Sequence, residues 1–96
     1  MTAETAMHTP GPWIVDEDDP HVILAPDGDD APWFVAEAAY DCGPGMSGKA
    51  NARLIAAAPD MLTTLRTIAL HVTSLDATGI RELADEAIAR AEGRAA

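Results

Sequence analysis

Hydrophobic positions follow two different rules along this chain. Up to Tyr40 they come in short runs interrupted by prolines, glycines and acids; beyond Asn51 they recur at helical spacing. Trp13-Ile14-Val15, His21-Val22-Ile23-Leu24-Ala25 and Trp33-Phe34-Val35-Ala36-Glu37-Ala38 are rich in β-branched and aromatic residues and bounded by turn formers, so they predict three strands. Asp16 to Pro20 reads as an acidic turn ended by a proline. Pro26-Asp27-Gly28 reads as a second turn, with proline presetting φ and glycine accepting a positive one. Short turns between short strands imply an antiparallel meander. Three strands alone are marginal and need a helical layer on one face.

Asp41 to Gly48 holds Gly43, Pro44, Gly45 and Gly48, so it cannot continue a strand. Ser47 is placed to cap the helix that follows, with Gly48 and Lys49 in its first turn. Leu54, Ala58, Met61, Leu65, Ile68 and Val72 are spaced 4, 3, 4, 3 and 4 apart, the signature of one helical face. Pro59 interrupts it. The spacing predicts a helix ending near Ala58 and a second one opening with Pro59, whose first turn Asp60 complements; one kinked helix is the alternative. A break is expected from Ser74 to Gly79. Ile80, Leu83, Ala84, Ala87, Ile88 and Ala91 then form one face of a last amphipathic helix, stopped by Gly93.

These elements make an α+β fold: a small three-stranded antiparallel meander packed against two or three C-terminal helices. The chain reads as a single domain over 1–96, with a weakly ordered lead-in (1–12), a β meander (13–40), a glycine-rich loop (41–48) and helices (49–94). Leu54, Leu65, Ile68 and Val72 are expected to face Ile14, Ile23, Phe34 and Val35.

Charge divides the chain in the same place as the hydrophobic pattern. The first 48 residues carry ten acids and no Lys or Arg; the rest carry six of each sign, so the net −10 belongs wholly to the β half. Such a field repels nucleic acid and anionic membrane and attracts basic protein surfaces. Direct nucleic-acid or membrane binding is therefore not expected. Alanine supplies much of the apolar content, which limits the area a core can bury and points to a homo-oligomer. The lone Cys42 excludes an internal disulfide and fits a reducing, cytoplasmic setting. No signal peptide and no membrane span is read from the sequence.

His8-Thr9-Pro10-Gly11-Pro12-Trp13 and Asn51-Ala52-Arg53-Leu54-Ile55-Ala56-Ala57-Ala58-Pro59-Asp60-Met61-Leu62 together resemble a group of small hypothetical proteins of tailed phages and prophages. Those proteins share an "HTPGPW"-like opening, a variable β region and a "NARLIAAAPELL" motif. The similarity covers about residues 8–66, with Asp60-Met61 where Glu-Leu is usual. The resemblance implies a phage protein acting in the host cytosol. It carries over no catalytic residue.

Several groupings are candidates for chemistry. Gly43 to Lys49 has the spacing of a phosphate-binding loop, but Ala50 stands where magnesium binding needs Ser or Thr, and the chain is too short for a nucleotide hydrolase. A simple anion site at the helix N-terminus, using Gly45, Ser47, Gly48 and Lys49, survives that objection; a flexible connector is the plainer reading. Asn51 and Arg53 lie just inside the same helix. Arg53 suits a phosphate or one of the many carboxylates. Trp13 and Trp33 are core anchors or platforms for a planar ligand. Asp16, Glu17, Asp18 and Asp19 in one turn, and Asp27, Asp29 and Asp30 in the other, lack the register of a calcium loop. They read as solvated turns or as a protein-interaction surface imitating a nucleic-acid backbone. His8, His21, His71 and Cys42 have no zinc-ligand spacing. Neither enzymatic activity nor a metal or cofactor is expected.

Two partners follow from these readings. One is a small phosphate-bearing nucleotide signal, sequestered as a counter-defence act. The other is a basic host defence protein, blocked by the acids. A phage structural adaptor is the third possibility.

Overall fold

A computed structural model describes residues 7–94; residues 1–6 of the expected lead-in lie outside the described residues. The order is β1 (Ile14–Val15), β2 (Val22–Asp27), β3 (Asp30–Glu37), α1 (Gly48–Ala56), α2 (Ala58–His71) and α3 (Ala77–Ala91). The strands form one antiparallel sheet in the order β1-β2-β3, so the fold is α+β with a meander, as the pattern implies.

The hairpin and the start of α3 differ most from the sequence reading. The β2–β3 hairpin is tighter: Asp27 pairs with Asp30, which leaves Gly28-Asp29 as the loop, with Gly28 at φ 57°. Glycine at the first loop position with positive φ suits the strand twist of a two-residue hairpin. Pro26 therefore lies inside β2, beside a register irregularity that accommodates its missing N–H. A second irregularity falls between Ile23 and Leu24, whose partners are Ala36 and Phe34, so Val35 is the extra residue. The other difference is α3, which starts at Ala77. The Gly79 amide donates to Asp76 Oδ1 at 2.7 Å, and this cap draws the first helical turn back to Ala77.

The helix signals otherwise act as expected. The Ala50 amide donates to Ser47 Oγ at 3.2 Å, capping α1. Ala57 lies between the two helices as the C-cap of α1 and the N-cap of α2, with Pro59 in the first turn of α2, so the proline separates two helices. Gly93, at φ 74°, closes α3: its amide donates to Arg90 O, and the Arg94 amide donates to Ala89 O.

The core is smaller than the stripe suggests, and it lies on a different helical face. Ile23, Ala38 and Ala52 form its buried centre, with Trp13, Val15, Val35, Ala36, Ile55 and Ala56 packed around them. Ile23 and Val35 belong to it as expected, whereas Leu54, Leu65, Val72, Ile14 and Phe34 are exposed. The reason is steric. α1 meets the sheet through Ala52, Ile55 and Ala56, the small side of the helix, which allows close approach and turns Leu54 outward. α2 packs on α3 and on α1 at its start, and none of its residues is fully buried. The radius of gyration is 15.8 Å, against about 12 Å for a compact globule of this length.

Candidate functional site

Among the described residues, the sheet is covered on one face only. On β2 the core-facing residues are Ile23 and Ala25; Leu24 points the other way. Leu24 pairs with Ile14 on one side and Phe34 on the other, so Ile14, Leu24 and Phe34 form an apolar row across all three strands on the open face. Ile14 is 44% exposed and Phe34 65%. Because α1 covers the opposite face, this row looks away from the helical layer.

Acidic turns lie at both ends of the sheet. In a meander, successive turns lie at opposite ends of the middle strand. Asp16 to Asp19 therefore sit at one end of β2 and Asp27, Asp29 and Asp30 at the other, about 20 Å apart for six residues of strand. The acids are two clusters bracketing a greasy row, not one continuous patch. Trp33 belongs to the second cluster: its indole N–H donates to Asp27 Oδ2 at 3.1 Å.

The first cluster is tied into the fold. The Asp18 amide donates to Asp16 Oδ1 at 3.0 Å, the His21 amide to Asp19 Oδ1 at 3.1 Å, and Tyr40 Oη to Asp19 Oδ2 at 2.7 Å. The His21 and Tyr40 rings stack with centroids 3.7 Å apart. His21 Nδ1 approaches Asp19 Oδ1 at 3.4 Å but makes no hydrogen bond. The Tyr40 bond stabilises the Asp19 carboxylate and holds it below its ordinary 3.8. The same bond, with some desolvation, pushes the Tyr40 phenol up to about 12.

The phenol's contribution to stability is thus fully present below its unfolded value of about 10 and is lost as pH rises from there through about 12. Tyr40 is the single tyrosine, so its ultraviolet phenolate signal reads this group alone. Titration is expected to give an apparent value near 12 in the folded chain, returning toward about 10 in Asp19→Asn.

The glycine-rich loop has a structural explanation. Gly45, at φ 75°, and Met46 are exposed. Ser47 is engaged in its cap. Gly48 is buried because the backbone passes against the segment that follows β3: a Cβ there would run into the Ala39 carbonyl oxygen and lie 2.6 Å from His21 Cδ2. Lys49 is exposed, and it makes no salt bridge among the described residues.

Arg53 lies elsewhere than Lys49's open surface, across the end of α3, where its stem and guanidinium cover Gly93. It lines a cleft of about 330 Å³ with Trp13, Asp60 and Arg90, and a second hollow with Asn51 and Glu92. Of the residues named for phosphate, the structure thus brings together Trp13 and Arg53, with Asn51 in the adjoining hollow, and leaves Trp33 and Lys49 apart. Arg90 was not singled out from sequence, where it is one of many charges on the polar face of α3. It is also tied to Glu86 at 2.6 Å and Asp60 at 3.8 Å, which offsets much of the cleft's positive charge.

The two sequence segments that carry the phage resemblance meet here. Gly11 packs on Pro59, and His8, Trp13, Ala58, Pro59 and Leu62 line a shared hollow. Among the described residues no group of three or more His, Cys, Asp or Glu is gathered as a metal site, and no helix is long and apolar enough to cross a membrane.

Among curated proteins and solved structures, nothing matches the chain. The family described as Salmonella phage P22 protein Y8K6 matches residues 1–95, and the chain therefore belongs to this phage protein family.

Proposed function

We propose that this chain is a non-enzymatic phage binding protein whose open sheet face docks on a basic protein surface, in a counter-defence role within the host cytosol. One observation carries the reading: the Ile14–Leu24–Phe34 row crosses a sheet that has an acidic turn at each end. An apolar centre with a charged rim is the anatomy of a protein interface. The rim sign selects a partner with Lys or Arg on either side of its own apolar patch, and the acidic field steers encounter with it.

A second reading is favoured by the shared cleft of Trp13, Arg53 and Arg90. There a small phosphate-bearing nucleotide would stack on the indole and pair with a guanidinium. Asp60 and Glu86 beside Arg90, and the acidity of the whole β half, weigh against it.

One titration separates the two. Amide and side-chain resonances are followed while adding a peptide with a central Leu-Phe block and Lys-Arg at both ends, then separately a cyclic nucleotide. The sheet-face reading expects peptide-induced shifts at Ile14, Leu24 and Phe34. Affinity should fall with salt and about tenfold on Asp18→Asn with Asp29→Asn, as expected for two screened rim contacts. Shifts confined to Trp13 and Arg53 with the nucleotide would favour the second reading, and a silent sheet face would reject the first.

A further inference from the structure

The helical half carries a second apolar surface, distinct from the sheet face. Met61, Leu65 and Ile68 of α2 and Ala84 and Ile88 of α3 line a groove along the α2–α3 hairpin. No charged residue lines it. Leu65 is 64% exposed, and the surface continues through Val72, 57% exposed.

α2 is the element least explained by a monomer. It includes Thr63, Thr64, Thr67 and Ile68, which are weak helix formers. Isolated helices of 14 residues are marginal in water and rely on burying an apolar face. Yet this helix buries no residue fully while keeping an apolar stripe along its length.

We infer that the α2–α3 hairpin is a self-association surface, pairing with the hairpin of a second copy about a two-fold axis to close a four-helix bundle. Charge selects a second copy over another partner. The helical half sums to zero, so two copies meet here without bringing their acidic sheets together. A basic partner is drawn instead to the β half. Exposed residues of the hairpin carry both signs, with Arg66 on α2 and, on α3, Arg81 and Asp85, which pair with each other at 3.6 Å in the single chain. A two-fold patch must be self-complementary, and a rim of both signs allows base to meet acid across the axis.

Size sets the strength. Helices of 14 and 15 residues are about 21–22 Å long, and two side by side present roughly 400 Å² in projection, more as accessible surface. A standard interface buries about 800 Å² per partner, so the pairing is weak and concentration-dependent.

Sedimentation equilibrium across a wide concentration range tests this. The wild-type mass is expected to rise from the 10.0 kDa monomer toward twice that value. Leu65→Glu should raise the dissociation constant about a hundredfold or more, because each dimer would bury two such carboxylates. Leu65 is exposed in the single chain, so the variant should keep its fold, and the Tyr40 titration near 12 reports that independently. A monomer at every concentration would overturn the inference. So would a dimer that persists in Leu65→Glu, or one that tightens steeply with salt, as pairing through the acidic sheet faces would.

Discussion

Ile23→Ala is expected to destabilise the chain by about 2–5 kcal/mol, the range for truncating a large aliphatic side chain at a well-packed site. Among the described residues, Ile23 is the only large side chain with no exposure at all. Its fully or nearly buried neighbours, Ala38 and Ala52, are methyl-sized. Alanine side chains cannot swing in to fill the void, so any relaxation must come from the half-buried Val15, Val35 and Ile55 around it. A domain of this length has about 5–14 kcal/mol in total. Losing several of them lowers the midpoint of thermal unfolding by more than about 10 °C. A urea series with an unchanged slope checks that the loss is in the folded core.

Gly48→Ala should be the other severe substitution, although helix propensity argues the opposite way. Alanine is favoured over glycine inside a helix by about 1 kcal/mol. At Gly48 the added methyl would collide with the Ala39 carbonyl oxygen, which is backbone and cannot rotate aside, and with the His21 ring. Overpacking of this kind typically destabilises by about 1–3 kcal/mol, so the clash outweighs the propensity gain. It also has a distinctive second readout. His21 stacks on Tyr40, and Tyr40 donates to Asp19. Displacing His21 should loosen that bond and bring the Tyr40 titration down from about 12 toward its ordinary 10.0. Simple loss of a flexible connector would leave the phenol unmoved.

The sequence was most legible where chemistry acts locally. Ser47 as a cap, Pro59 as the separator of two helices, Gly93 as a stop and the three strands are each dictated by a few neighbouring residues. The fold class follows from them. The side of the helical half that meets the sheet was not legible, because periodicity finds an apolar face without saying what covers it. The largest residues made the more conspicuous stripe, but close packing on a short sheet selected Ala52, Ile55 and Ala56. The irregularity at Val35 was likewise invisible, and it sets the register that aligns Leu24 with Phe34. Of the candidate site, the acidic turns and Trp13 with Arg53 could be named in advance. Their placement at opposite ends of the sheet, and beside Arg90, depends on topology.

The apolar residues divide between two uses: a small core between β2 and α1, and the larger aliphatic stripe and the Phe34 row left for partners. Chemical denaturation of Ile23→Ala and Leu65→Ala, side by side at concentrations low enough to keep the chain monomeric, decides that most directly. The expected outcome is a loss of about 2–5 kcal/mol for Ile23→Ala and less than about 0.5 kcal/mol for Leu65→Ala, as for a surface position. Equal losses, or a larger one at Leu65, would mean that the long stripe is the core after all and that the hairpin has no free face.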